Sequence, residues 1–432
     1  MIFVIVMSII AVLAMIICIL KFHTIRIGKF ELETFYLPIL IVALIFLIFP
    51  IYDKSNTFNI LFSNSKLNPL KILILFFSIS FISISLDEAG FFTFIAIKFI
   101  NRFKKSQYML FFSLYFLISI LTIFTSNYIV ILTFTPFILY FAKNGRISPI
   151  PYLVLEFICA NTYSLLLPIG NPTNIYLSSI YSLNFIDYVK NMLIPSLIVG
   201  LVSLLVLLVL FRKSLSQKIE VFNDKKPSIK NKTLCIISLI HLISTTILLV
   251  ISNYINLEMW IIALIFASSL LTLIIVYSIY KKNKLYVIMP IKRLPYNLLP
   301  FILSMFVIIM ALESYDVFIN ISNAISRIEN KKVENIIYLI SSTLSCNIVN
   351  NIPMTIAYGS ILSNTTYQSS IYMTIIGSNI GAILTPIGAL AGIMWMKILK
   401  SHDVKYSFLS FMKNGSIVLF FIIIALSIYI LI

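Results

Sequence analysis

The chain has 432 residues, of which 60% are hydrophobic and 11% charged, with a mean hydropathy of +1.05. A soluble domain carries about a quarter charged residues, so composition excludes one and points to an all-α polytopic membrane protein. The formal charge of +17 resides mostly in short loops between apolar runs, as the positive-inside rule describes, and it gives no reason to invoke nucleic acid.

In chain order, apolar runs fall at 1–20, 36–52, 70–100, 107–142, 149–182, 189–211, 233–253, 257–280, 297–326, 335–363, 369–396 and 406–432. Crossing a bilayer takes about 20 apolar residues. The first run lacks a basic leader region and a clear cleavage site, so it reads as a retained span. Cys18, Cys159, Cys235 and Cys346 all lie in apolar runs without a CxxC. They read as free buried thiols, with neither a disulfide framework nor a metal site.

Loop charge sets the sidedness. Segment 212–232 carries Arg212, Lys213, Lys218, Lys225, Lys226, Lys230 and Lys232, and is expected to be cytoplasmic. Two spans later, 281–293 is basic again, with Lys281, Lys282, Lys284, Lys292 and Arg293. Lys98, Arg102, Lys104 and Lys105 precede the run 107–142, and Lys143 and Arg146 follow it. Both its ends are then cytoplasmic, which predicts a re-entrant hairpin with its tip at Thr125-Ser126-Asn127. A matching hairpin at 335–363 enters from outside. Its tip runs from Ser345-Cys346-Asn347 through Asn350-Asn351-Ile352-Pro353. The external segment 327–334 fits least well, because Glu329 and Glu334 only partly offset Arg327, Lys331 and Lys332.

This gives ten spans and two hairpins in the plasma membrane, with both termini extracytoplasmic. Residues 1–211 form one repeat, with a hairpin at 107–142 and a broken helix at 149–182. Residues 212–232 form a cytoplasmic linker. Residues 233–432 form the second repeat, inverted, with a hairpin at 335–363 and a broken helix at 369–396. Inverted repeats are a common transporter architecture. Leu-x-Pro-Ile-Gly occurs at 166–170 and 384–388, 218 residues apart, and Asn161 and Asn379 share that offset.

Proline and glycine break helices. In lipid, such a break is tolerated where it is buried or lines a cavity. The tip Ser126-Asn127 is expected to meet the break Pro168 to Asn174, and Asn347 to Pro353 to meet Thr385 to Gly388. Asn171-Pro172 reads as an N-cap and first-turn proline, and Asn351, Ile352 and Pro353 suggest a similar restart. Helix starts suit an anion or oxyacid. Unwound carbonyls with Ser, Thr and Asn suit a small cation such as Na⁺. A packing kink is the plain alternative at each break. Acids inside the runs add proton-coupling candidates: Asp87, Glu88, Glu156 and Glu313, with no Lys or Arg in the same run as an obvious partner. For Asp87-Glu88-Ala89-Gly90 the alternative is a helix break near the interface.

LDEAGFF (86–92), GNPTN (170–174), NNIPMT (350–355) and SNIGAILTPIGALAGIMW (378–395) resemble the arsenite/antimonite permease family. That family is part of the ion transporter superfamily, alongside citrate and dicarboxylate carriers. The resemblance covers roughly residues 70–400, and GNPTN is shared across the superfamily. It implies a central site, an elevator-type motion, a homodimer, and arsenite extrusion driven by proton entry, sometimes with a soluble ATPase partner. Carried over by motif, the site residues are Ser126, Asn127, Gly170, Asn171, Asn174, Asn347, Asn350, Asn351, Thr385 and Gly388. The second break departs from the first, since no Asn follows its Pro-Ile-Gly.

The leading expectation is a proton-coupled exporter of arsenite, antimonite or a related small oxyacid. A sodium- or proton-coupled carrier of a carboxylate or inorganic anion is the second, and a passive channel the third. The coupling ion is H⁺ or Na⁺, and no cofactor is expected. No arginine lies in the expected site, which disfavours a multivalent carboxylate. Without HExxH, GxGD or Walker A motifs, an intramembrane enzyme is not expected.

Overall fold

The computed structural model describes residues 1–21, 24–27, 30–49, 51–53, 55, 68–103, 106–219, 226–252, 255, 257–365 and 367–432. Lys104, Lys105 and Lys225, with the part 220–225 of the expected linker, lie outside the described residues. Helix α1 (Ile2–Lys21) leads to an antiparallel pair of strands, β1 (Thr24–Ile27) and β2 (Phe30–Glu33), with Thr24 opposite Glu33. The apolar-run reading placed no strand here, because four-residue strands are shorter than any run it can register. Helix α2 (Leu37–Ile48) follows, with proline in its first turn.

The run 70–100 divides. Helix α3 (Pro69–Glu88) is capped by Asn68, whose side chain accepts from Leu70 N at 2.9 Å. It ends at an elbow where Gly90 has φ +91, a left-handed value that suits glycine. The space a Cβ would fill there lies 2.9 Å from the Lys230 backbone nitrogen, and Asn231 N donates to Ala89 O at 3.2 Å. The end of the linker therefore docks under this elbow. Helix α4 (Phe91–Phe103) continues beyond it.

Helices α5 (Gln107–Phe124) and α6 (Asn127–Asn144) form the first helix–tip–helix unit. Helix α7 (Ile150–Tyr163) is interrupted by a 3-10 turn, Pro168–Gly170, before α8 (Pro172–Ile180), and α9 (Phe185–Leu215) closes this half. Helices α10 (Lys232–Ile251) and α11 (Met259–Tyr280) open the next. The basic stretch 281–293, expected to be a loop, holds a short helix, α12 (Leu285–Lys292). Helix α13 (Leu298–Glu313) bends by 71° into α14 (Val317–Ser326).

Helices α15 (Lys331–Val349) and α16 (Asn351–Ile361) form the second helix–tip–helix unit. Helix α15 starts inside the expected external loop 327–334, so Glu334 is a buried first-turn residue that accepts from Ser370 Oγ at 2.8 Å. Helix α17 (Gln368–Ile380) is followed by 3-10 turns at Gly381–Ile383 and Pro386–Gly388, then α18 (Leu390–Ser401) and α19 (Phe408–Leu431).

Helices α1, α3, α5, α9, α10, α11 and α19 are long and apolar enough to cross a membrane, and the bent pair α13–α14 would add an eighth. Helix α5 belongs to the expected re-entrant hairpin 107–142 rather than to an expected crossing, yet at 18 residues it is long enough to cross. The expected crossings not among these helices fall on the short α2 and on the interrupted units α7–α8 and α17–α18. Burial sorts the long helices: the spanning window of α3 is 78% buried, whereas that of α11 is 22% buried. Helix α3 is thus central, and α11 offers Ile265, Val276 and Ile279 outward, a surface that lipid covers and water would not. The interrupted helices sit inside this ring. Helix α6 packs on α18, α16 on α8, and α15 on α17.

Candidate functional site

Helix α7 ends at Ser164, and the carbonyls freed by the break need donors. Asn174 supplies them: its Nδ2 donates to Ser164 O at 2.8 Å and to Leu167 O at 3.4 Å. Gly170 lies so close that a Cβ there would run into the Ser164 carbonyl. Asn171 is extended (φ −149, ψ 142) and caps α8 by accepting from Thr173 N at 3.4 Å, with Pro172 in the first turn. Asn379 of α17 crosses from the other half and clasps this break. Its Oδ1 accepts from Asn171 Nδ2 at 2.8 Å and Ser164 Oγ at 3.0 Å, and its Nδ2 donates to Asn174 Oδ1 at 2.7 Å. Ser378 Oγ donates to Thr173 Oγ1 at 3.2 Å beside it.

The first tip falls at Thr125-Ser126, and Ser126 caps α6 through Ile129 N at 3.4 Å. Asn127 donates to Asn161 Oδ1 at 3.1 Å. The tip therefore bonds to α7 ahead of the break rather than to Pro168–Asn174, whose asparagine side chains are occupied by the carbonyls and by Asn379.

In the second half the tip does brace the break. Asn347 Nδ2 donates to Thr343 O at 2.8 Å and Gly381 O at 2.9 Å, and Thr385 Oγ1 donates to Asn347 Oδ1 at 2.7 Å. Asn350, at φ +75, donates to Ile387 O at 2.8 Å. Gly388 leaves room for the Asn347 side chain, 2.9 Å from where a Cβ would sit. Asn351 opens α16, and its carbonyl accepts from Thr355 Oγ1 at 2.7 Å. This tip is narrower than expected. Only Asn350 leaves the helical path, and Ser345 to Asn347 form the last turn of α15. Ala389 has the same extended backbone as Asn171 (φ −147, ψ 149) but no cap to offer.

The sequence-predicted residues thus form two clusters joined through α17. Asn161, Ser164, Thr173, Ser378 and Asn379 belong to them and were missed. The signal was present, since Asn161 and Asn379 share the offset of the two Pro-Ile-Gly motifs, but it was read only as a trace of repetition.

The acids separate by environment. Asp87 and Glu88, for which the same run offers no obvious basic partner, both pair with Arg293 from another segment, at 2.8 and 2.6 Å, and Thr133 Oγ1 donates to Asp87 at 3.0 Å. The base comes from the stretch after α12, distant in sequence, which a search within one run cannot find. Burial weighs against the charge of Arg293, yet the two carboxylates more than offset it and hold the guanidinium above its ordinary value. Glu313 faces Ser360 of α16. Glu156 is fully buried, and Thr135 Oγ1 donates to both its oxygens at 2.9 and 3.0 Å.

A cavity of about 510 Å³ runs between α6 and α18. Tyr128, next to the first tip, and Leu390, at the start of α18, line its inner end, and Arg293 to Leu298 lie along another wall. Glu33, paired with Lys397 at 3.1 Å, and His402 also line it. The cavity thus connects the basic stretch 281–293 with two helix starts. Among the described residues, no group of three or more His, Cys, Asp or Glu side chains is placed to hold a metal ion.

Interrupted helices meeting buried polar tips inside an apolar helical ring are the architecture of a membrane transporter. The family model described as citrate transporter matches residues 1–374, and the chain belongs to the citrate transporter family. A protein of Bacillus subtilis (strain 168), provisionally named an arsenical pump membrane protein, is 26% identical over 369 residues, covering 78% of this chain and 81% of its own. The arsenical pump membrane protein of Escherichia coli (strain K12) is 24% identical over 369 residues, covering 79% and 81%. That of Yersinia enterocolitica is 22% identical over 360 residues, with the same coverage of 79% and 81%.

Proposed function

We propose that this transporter is a secondary active exporter of arsenite, antimonite or a related small oxyacid, driven by proton entry across the plasma membrane. One observation carries the reading: the buried clusters at the two breaks are built from amide and hydroxyl groups. Of the two cations of the basic stretch that line the cavity, Lys292 and Arg293, the arginine, which has the forked donor geometry, is already neutralised by Asp87 and Glu88. A multivalent carboxylate would need an uncommitted fork of donors. A small neutral oxyacid needs no such fork, only a few neutral hydrogen-bonding groups and a helix start. The names of the relatives point the same way.

Proton coupling is favoured over sodium by the carbonyls. Those of Ser164, Leu167, Gly381 and Ile387, which an unwound sodium site would use, are occupied by asparagine amides, while a buried acid stands next to the cavity wall. The two halves work as inverted repeats, moving elevator-fashion within a homodimer, with both termini extracytoplasmic. A soluble ATPase partner would dock on the basic cytoplasmic loops. The second reading is a carboxylate carrier, favoured by the family to which residues 1–374 match.

Inverted vesicles under an imposed proton gradient test this, with arsenite, antimonite, citrate and succinate offered with and without sodium. Accumulation of arsenite that collapses with the gradient is the expected result. Sodium-dependent citrate or succinate uptake with no arsenite transport would replace the exporter with the carrier.

A further inference from the structure

The network around Glu156 contains an unused donor. The carboxyl sits in α7 at 0% exposure, and Thr135 of α6, also 0% exposed, covers both its oxygens. Trp395 of α18 is 1% exposed, and its indole nitrogen has no hydrogen-bond partner. Trp395 packs on Phe157, the next residue after Glu156, with ring centroids 5.3 Å apart. Its nitrogen comes close enough to the Glu156 carboxyl to act on it electrostatically without making a bond of normal geometry. An orphaned buried N–H beside a buried acid is costly, and a carboxylate in this setting is costlier still. No Lys, Arg or His among the described residues bonds to Glu156. The titratable groups around it are Tyr152 and Cys159 on its own helix, with Tyr163 further along. Tyr115 of α5 pairs with Tyr163, and Tyr406 packs on Trp395. None of these brings a positive charge.

The neighbours of these residues give the network its position. Pro136, beside Thr135, and Met394, beside Trp395, both line the cavity between α6 and α18. Glu156 does not line the cavity itself, but it bonds to one of its two wall helices and faces the other. It touches a helix of the first helix–tip–helix unit and faces the helix restarted after the second break.

We propose that Glu156 is the site where the driving proton is held, and that the Trp395 indole N–H is the donor that takes the carboxylate when the proton leaves. This rests on the proton-coupled reading above. In the protonated state the carboxyl and the Thr135 hydroxyl share their contact with either group able to donate, and Trp395 stands unpaired, as in the structure. On release, the proton passes to cavity water. The Thr135 hydroxyl then turns to donate to the carboxylate, and the indole N–H closes on its other face. That closure draws α18 toward α7, so the proton state sets the width of the cavity between α6 and α18.

Trp395 is one of only two tryptophans in the chain, with Trp260. In a Trp260→Phe protein it is the sole indole, and its emission reads the network without any substrate. The full-length protein in proteoliposomes is expected to show a one-proton titration of that emission, absent when Glu156→Gln is added and restored, at a shifted midpoint, by Glu156→Asp. Emission independent of pH in the Glu156 protein overturns the proposal, as does a titration that survives Glu156→Gln. Transport supplies the second arm. With Glu156→Gln, accumulation driven by the proton gradient is expected to fall by roughly 5- to 150-fold, the range of an ordinary coupling free energy, while exchange of arsenite for arsenite at zero gradient persists. Undiminished gradient-driven accumulation overturns the assignment. A protein whose emission titrates through Glu156 but which moves no oxyacid at all defeats the exporter reading and leaves the proton site standing.

Discussion

The two broken helices share a backbone and differ in what supports it. At the first, the chain repairs itself: Asn174 takes the freed carbonyls, Asn171 caps the restart, and Asn379 clasps both from the other half. At the second, Ala389 occupies the capping position in nearly the same conformation with a side chain that can neither donate nor accept, and Asn347 and Asn350 from the adjoining tip do the bracing. The elbow acids differ in parallel. Asp87 and Glu88 are bound to Arg293, whereas Glu313 faces the hydroxyl of Ser360 and forms no ion pair among the described residues. The lesson is that a repeated backbone does not imply equal support at both breaks. One break is rigidified from across the molecule, and the other depends on its own tip.

Removing the clasp should break this comparison most severely. Asn379→Ala removes a buried bond from Ser164, Asn171 and Asn174 at once. Ser164 Oγ keeps Asn161 O and Asn174 Oδ1 keeps Thr173 Oγ1, but Asn171 Nδ2 is left unsatisfied, at about 1–3 kcal/mol. A large fall in the thermal midpoint in detergent and loss of transport are expected. Asn347→Ala also loses three partners, but its bonds are only partly buried where those of Asn379 are fully so, and it should lower the midpoint less. Equal losses would mean that the two breaks are supported alike. Next comes Arg293→Ala, which strands Asp87 and Glu88. Because both the arginine and Glu88 are partly exposed, the cost should stay below the 3–5 kcal/mol or so of a fully buried pair. Neutralising both acids in the same protein should recover most of the loss, measured by the same melting assay.

Asn171→Ala gives the first break the uncapped form of the second. A lost cap costs about 1 kcal/mol, and Asn379 Oδ1 keeps its bond from Ser164 Oγ, so the midpoint should drop modestly while α8 stays in place. The smallest effect is at Glu258, which pairs with Lys71 at 2.7 Å and is half exposed. Burial opposes its charge, but Lys71 and Trp260 outweigh that and hold the carboxyl below its usual value. A depressed folded-state pKa stabilises above the unfolded value of about 4.3. The contribution is lost as pH falls through the folded-state pKa. Wild type and Glu258→Gln should therefore differ slightly near neutrality, by no more than about 1 kcal/mol for an exposed pair, and converge in acid.

Much of this was legible in the sequence. The matched Pro-Ile-Gly motifs located both breaks, Asn171-Pro172 announced a cap and restart, and Ser126 marked the first tip, because these signals are local and follow from backbone chemistry. What escaped was set by tertiary contact. Arg293 as the partner of Asp87, Asn379 as the clasp on Asn171, and Trp395 facing Glu156 each join residues far apart in sequence, and no periodicity brings such residues together. The strands at Thr24–Ile27 and Phe30–Glu33 and helix α12 escaped because they are short.

The Asn379 clasp also bears on how the protein is made. Asn174 Oδ1 and Asn171 Nδ2 find their partner 205 and 208 residues later in the chain. At ribosomal speeds of about 5–20 residues per second, the first half waits roughly 10–40 s in the membrane with these groups unmatched. Insertion must therefore shelter a half-built polar centre from lipid until α17 arrives, which makes biogenesis, as much as transport, a constraint on these asparagines.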